Sequence, residues 1–251
     1  MGFWVFLFHI LTLPNVHSLE GIKSPYTDVI ANLSSRWPFP AESLQITTTG
    51  PVQIKTWQTP GQPYYMGIEQ TMWVNSSFEK LESVIDHIDQ YGDLFPGYKS
   101  VQIKSKKSPM VWLTLWEQII PVPFVPNITY EIAYEIKRTK KKKIYLYALT
   151  QSNRVKTNDG FIVIENKGPN KTLYVTYNFF DADWGPATIF GPDYLWEQSL
   201  ENVYLSDLAT KIKAENPKLS ASDARNEAKK LFRDEYVDAA LKNRTEFRLP
   251  K

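Results

Sequence analysis

No cysteine occurs anywhere in the 251 residues. That absence removes disulfides, a lipid-modified cysteine anchor, thiolate metal ligands and cysteine nucleophiles together. Histidine is nearly as scarce: His9, His17 and His87 are all there are, and the first two lie close to the start. A metal centre or a Ser/His/Asp arrangement would have to be built on His87 alone, so no catalytic residue, metal site or cofactor is expected. Charge of one sign is also lacking. The net charge is +2 with 22% charged residues, which leaves no global field to attract nucleic acid. Internal repeats and low-complexity tracts are missing too, and no apolar run is long enough to span a bilayer.

What is present is 43% hydrophobic and 14% aromatic residues, enough for one sizeable core and too little for two. Residues 1–18 contain no charged side chain, hold the apolar run Phe3 to Leu13, and place Val16 and Ser18 at the two positions of a small-residue cleavage site. They read as a signal peptide cleaved after Ser18, so the mature chain is expected in a periplasm or outside the cell. The missing cysteines favour a bacterial setting, because secreted animal proteins of this size usually carry disulfides. Five Asn-X-Ser/Thr triplets, at Asn32, Asn75, Asn127, Asn170 and Asn243, would matter only in a eukaryotic secretory pathway.

Residues 19–64 read as an N-terminal extension. It would hold a short helix over Thr27–Ser34 and a hairpin of Ser43–Thr48 with Val52–Trp57 about Thr49-Gly50-Pro51. The run Thr59-Pro60-Gly61-Gln62-Pro63 then breaks the pattern. From Tyr65 a strand reaches Val74, and Asn75-Ser76-Ser77 supplies a helix cap. A helix over Phe78–His87 has Leu81, Val84, Ile85 and Ile88 as its apolar stripe. Strands follow at Tyr98–Lys104, Ile128–Lys137, Lys143–Leu149, Phe161–Glu165 and Leu173–Phe179. An amphipathic helix is expected over Pro192–Lys213, with Leu195, Leu200, Val203, Tyr204, Leu208 and Ile212 along one face. A C-terminal extension, 216–251, carries one more helix over Ser220–Lys242. A meander cannot bury its inner face alone, so the long helix has to lie across it.

The piece from Ile68 to Ile103, with Asn75-Ser-Ser-Phe-Glu-Lys, Tyr91 and Phe95-Pro96, together with Asp181-Ala-Asp-Trp-Gly-Pro ahead of the long helix, resembles the START-like (SRPBCC) superfamily. Lipid-transfer START domains, birch-pollen-type allergens, polyketide cyclases and coenzyme-Q-binding proteins share this helix-grip fold. The resemblance covers residues 65–215. It implies an α+β domain: a curved seven-stranded antiparallel sheet, two short helices after the first strand, and a long helix over the concave face. It names no ligand, since members range from carriers to cyclases.

Within that frame the aromatic residues carry the strongest signal. Trp112, Trp116, Tyr130, Tyr134, Tyr145, Tyr147, Tyr177 and Phe179 recur at strand spacing, and with Leu200 and Tyr204 from the long helix they form the expected ligand-binding set. The competing reading is that these side chains fill the space completely. Carboxylates near strand ends, Glu69, Glu117, Asp181 and Asp183, are the acid/base candidates, with ordinary loop and cap roles as the alternative; Glu131 and Glu135 read as solvated. About ten positive charges cluster at turns that share one end of the sheet, among them Lys140, Lys141, Lys142 and Lys143. They suit an anionic membrane surface, or else are hairpin tips that discourage edge aggregation. The apolar run 121–126 and Trp184–Phe190 fall at the other end and suit a lid.

Three functions follow: a noncatalytic binder or carrier of an apolar small molecule or lipid, a cyclase or dehydratase working through cavity carboxylates and tyrosines, and an interaction module with a filled core. The near-absence of histidine weighs against the second.

Overall fold

In the computed structural model, residues 52–120 and 126–246 are described; the expected signal peptide, the expected Thr27–Ser34 helix and Ser43–Thr48 strand, and most of the apolar run 121–126 expected to suit a lid, lie outside them. The strands are β1 (Val52–Thr59), β2 (Gln62–Val74), β3 (Tyr98–Ser108), β4 (Val111–Gln118), β5 (Ile128–Arg138), β6 (Lys142–Ser152), β7 (Val155–Gly168), β8 (Lys171–Ala182) and β9 (Thr245–Glu246). The helices are α1 (Phe78–Asp86), α2 (Tyr91–Leu94), α3 (Gly191–Glu215), α4 (Ala221–Leu231) and α5 (Asp234–Lys242). One sheet contains all the described strands in the order β3-β4-β5-β6-β7-β8-β2-β1-β9.

Strands β2 to β8 form the seven-stranded antiparallel meander that the resemblance implies, and β1 extends it on the β2 side. Val52–Thr59 therefore pairs with Gln62–Val74, across the Thr59-Pro60-Gly61-Gln62 segment that the sequence marks as a break. Gly61 turns there with φ +78°, a left-handed conformation that glycine adopts without steric cost. The two-residue β9 adds a parallel pair to β1.

Both faces of the middle strands are buried, which explains why apolar residues crowd them instead of alternating cleanly with polar ones. On the concave face Met66, Ile68, Met72 and Val74 of β2 lie under the helices. The opposite face carries Tyr65, Phe161, Tyr177 and Phe179, with Phe161 and Tyr177 rings 4.6 Å apart.

Helix α1 starts where Ser77 Oγ accepts from the Lys80 amide, and it buries Phe78, Leu81 and Ile85. Tyr91 folds α2 back on it by donating its hydroxyl to the Ile85 carbonyl at 2.8 Å. Helix α3 is pinned along β2 at both ends. The Trp196 indole donates to Pro63 O at 2.9 Å, Lys211 Nζ donates to Trp73 O at 2.9 Å, and Ser76 Oγ donates to Ala214 O at 2.8 Å. The expected single helix over Ser220–Lys242 is two. Phe232 takes an extended conformation between α4 and α5, so the chain bends and Phe232 and Tyr236 both meet Tyr204.

Candidate functional site

The sheet and α3 do not close completely on one another. Between them lies a cavity of about 130 Å³. Strands β4 and β5 contribute Trp116, Tyr130, Ile132 and Tyr134, and the Trp116 and Tyr130 rings lie parallel, 6.3 Å apart. Strand β6 contributes Tyr147, 5.6 Å from Tyr134. Tyr91, Phe95 and Tyr98 close the α2 side, and Met66 and Ile68 close the β2 side. Strand β8 presents Tyr174, Thr176, Asn178 and Phe180, while α3 presents Ser199, Asn202, Val203, Ser206 and Asp207. A smaller pocket of about 20 Å³ adjoins this one, sharing Gln118, Ser199 and Asn202.

Polar groups in the wall are tied to one another. Tyr147 donates its hydroxyl to Tyr177 O at 2.7 Å, and Asn178 Nδ2 donates both to the Tyr147 oxygen at 3.0 Å and to Asn158 Oδ1 at 3.2 Å. That arrangement needs Gly160, which lies across from Tyr147 in the sheet; a Cβ there would overlap the Tyr177 carbonyl oxygen and approach the Tyr147 hydroxyl to 2.7 Å. Asp207 accepts from Tyr174 Oη at 2.8 Å and from Thr176 Oγ1 at 2.5 Å, one donor on each oxygen. Burial pushes its carboxyl up from the ordinary carboxylate range to about 7, against the two hydrogen bonds that favour ionisation. Burial also holds the Tyr91, Tyr130, Tyr147 and Tyr174 phenols well above their ordinary value, so they stay protonated donors.

Of the residues expected to bind a ligand, Trp116, Tyr130, Tyr134 and Tyr147 line this cavity. Trp112 and Tyr145 share the concave face but sit deeper toward α1, where Tyr145 donates to Asp86 Oδ1 at 2.6 Å. Tyr177 and Phe179 point the other way. Register explains the difference: β8 turns Tyr174, Thr176, Asn178 and Phe180 to the cavity, so the odd-numbered set lies on the opposite face, with Tyr177 Oη donating to Glu69 at 2.7 Å. Leu200 and Tyr204 are buried yet outside the lining; Val203 is the member of the α3 stripe that reaches it. Tyr204 turns to α4 and α5, with its phenol raised to about 12 by burial.

The carboxylate candidates also separate. Glu69 lies on the face away from the cavity, raised by burial against Tyr177 and Lys55; Glu117 is held low by Asn127 and Lys99; Asp181 is raised by partial burial beside Lys156. Asp183 Oδ1 accepts from the Gly185 amide, a turn role. Glu131 and Glu135 are half-buried and paired with Lys104 and Lys137 rather than solvated. His87 Nδ1 stands 2.6 Å from Ser83 O, at the end of α1.

Within the basic turn, Lys140 and Lys141 are exposed and Lys142 pairs with Glu165. Lys143 contradicts its expected place at the rim. Its side chain turns under α1 to meet Glu82 at 3.0 Å and Asp86 at 2.8 Å, because strand alternation carries it to the concave face.

Sequence reasoning missed Asp207. Val203, Ser206 and Asp207 face inward together, but with small polar residues among apolar ones on a helix covered from several sides, no clean stripe marks them.

Neither a family model nor a curated protein matches the chain. Solved structures do. The crystal structure of human STARD10 aligns with TM-score 0.57 at 11% identity, covering 92% of this chain and 95% of that one. The chain has the START-like helix-grip fold. The lipid transfer and protein localization domain of human StarD13 aligns with TM-score 0.51 at 8% identity, covering 78% of this chain and 99% of that one.

Proposed function

We propose that the protein is an exported, noncatalytic binder or carrier that holds a small apolar molecule between the sheet and α3. The observation that carries this reading is the cavity itself, walled by Trp116, Tyr130, Tyr134 and Tyr147 and edged with a few oriented polar groups, the make-up expected of a ligand site. A noncatalytic role is supported by the scarcity of histidine: His87, the one histidine among the described residues, does not line the cavity. Export is supported by the signal-like residues 1–18.

Volume limits the occupant. About 130 Å³ is close to the roughly 150 Å³ that accepts a benzene ring in an engineered apolar cavity. It is well short of the roughly 300–1,000 Å³ of drug-sized sites. A single-ring molecule fits as the cavity stands, and a lipid chain, the cargo that the StarD13 domain's name suggests, requires α3 and α2 to part. Exposed Lys140 and Lys141 would steer the protein to an anionic membrane surface.

Native mass spectrometry of the mature protein, with extraction and identification of co-purifying small molecules, tests the reading. A retained apolar compound, displaced when Tyr134 is replaced by Trp, is expected. A protein that carries nothing and takes up neither apolar dye nor lipid overturns it.

A further inference from the structure

A buried carboxylate is ordinarily met by a cation, because removing its charge from water costs several kcal/mol that hydrogen bonds from neutral groups offset only in part. Asp207 has two neutral donors and no such cation. None of the ion pairs among the described residues includes it. Nor does any lysine, arginine or histidine line the cavity that it faces. Tyr174 and Thr176 each occupy one lone-pair direction on its two oxygens, and an ionised carboxylate offers about four. The unused directions belong to a group that lines the cavity. Around that space stand the rings of Tyr91, Tyr98, Tyr130, Tyr134 and Trp116, whose faces attract positive charge.

We propose that the cavity takes a small apolar amine, bound in its protonated form with the ammonium group on Asp207 and the hydrocarbon part among the aromatic rings. This inference rests on the binder reading and narrows it to one ligand class. Asp207 is then the residue that sets specificity: it favours a cation, tolerates a neutral molecule of the same shape and repels an anion such as a fatty acid.

The charged state of Asp207 decides the preference. The titratable groups that face it are Tyr174 from β8 and Tyr91 from α2, and burial keeps both phenols neutral across the working range. The β2 wall contributes Met66 and Ile68, which carry no charge. Asp207 alone therefore titrates at the site near neutral pH.

Calorimetric titration of the mature protein with phenethylamine, phenethyl alcohol and phenylacetate compares a cation, a neutral molecule and an anion on one ring and one short chain. At about pH 8 the amine should bind at least about tenfold tighter than the alcohol, and phenylacetate weakest. In Asp207→Asn the amine and alcohol should bind within about twofold of each other. A second measurement needs no variant: in the wild type the amine-to-alcohol ratio should fall toward one between about pH 8 and pH 5 as Asp207 takes up its proton. An alcohol that binds as tightly as the amine, a preference that survives Asp207→Asn, or a ratio flat with pH overturns the inference and leaves the binder reading standing. Failure of all three compounds to bind, in a protein that also takes up no apolar dye, overturns both.

Discussion

Tyr174 donates its hydroxyl to Asp207 Oδ1 at 2.8 Å, joining β8 to the long helix inside the wall of the cavity. The bond bridges the two layers whose separation creates the cavity. It holds a carboxyl group where burial resists its ionisation.

Stability should therefore depend on pH through Asp207 in a definite sense. Its folded pKa of about 7 lies above the ordinary aspartate value of 3.8, so between those values the folded state holds a proton that the unfolded chain has released. Its contribution is fully present below the unfolded pKa and fades as pH rises through about 7. Asp207→Asn, which cannot ionise, should gain stability relative to wild type between about pH 5 and pH 8, by roughly 1–3 kcal/mol. Denaturant melts of both proteins at each pH check this, and a difference that stays constant with pH counts against it.

Gly160→Ala should damage the cavity without replacing a lining side chain. The new methyl would collide with the Tyr177 carbonyl and crowd the Tyr147 hydroxyl, forcing Tyr147 out of place at a cost of about 1–3 kcal/mol. Thermal melts and dye uptake should fall together. An unchanged melting temperature would mean that the sheet adjusts freely at this position.

Opposite faces of the sheet should respond differently to substitution. Tyr134→Leu alters the cavity wall, so ligand or dye affinity should change by about fivefold or more, about 1 kcal/mol. Tyr177→Phe removes the donor to Glu69 on the other face and should lower stability by about 1 kcal/mol with affinity unchanged. Equal effects of the two on binding would contradict the face assignment.

The lysine turn should divide between surface and interior. Lys143→Ser leaves Glu82 and Asp86 without their shared cation beneath α1 and should cost roughly 2 kcal/mol, below the full cost for a deeply buried pair because Asp86 keeps some contact with water. Lys140→Ser with Lys141→Ser should leave stability within about 0.5 kcal/mol and weaken binding to anionic liposomes at low salt. Denaturant melts and liposome sedimentation separate the two sets.

Export predicts a mature protein beginning at Leu19. Amino-terminal sequencing of the exported material would test it, and a chain that retains Met1 would refute it.

The amino-acid sequence by itself determined much of the element order, because many of the elements carry a local cue; it did not mark β4 or the break between α4 and α5. Ser77 caps α1, and the alternation of Ile128, Tyr130, Ile132, Tyr134 and Ile136 marks β5; the segment holding Gly61 reads in the sequence as a break, and only the structure makes it the turn that joins β1 to β2. Asn75-Ser-Ser-Phe-Glu-Lys and Tyr91 with Phe95-Pro96 sufficed to suggest the helix-grip fold, and the four cavity aromatics on β4, β5 and β6 were legible from strand spacing. Only the tertiary structure decided the face of β8, the depth of Lys143 and the partners of Tyr204 and Asp207. Strand β8 is buried on both sides, so period-two spacing separates its residues into two sets without saying which set meets α3. Asp207 is an ordinary helical carboxylate until α3 is laid across β8, and its meaning comes from Tyr174 and Thr176, more than thirty positions earlier in the chain. Local preferences are written residue by residue. The environment of a buried charge is a property of what packs around it, and that exists only after the chain has folded.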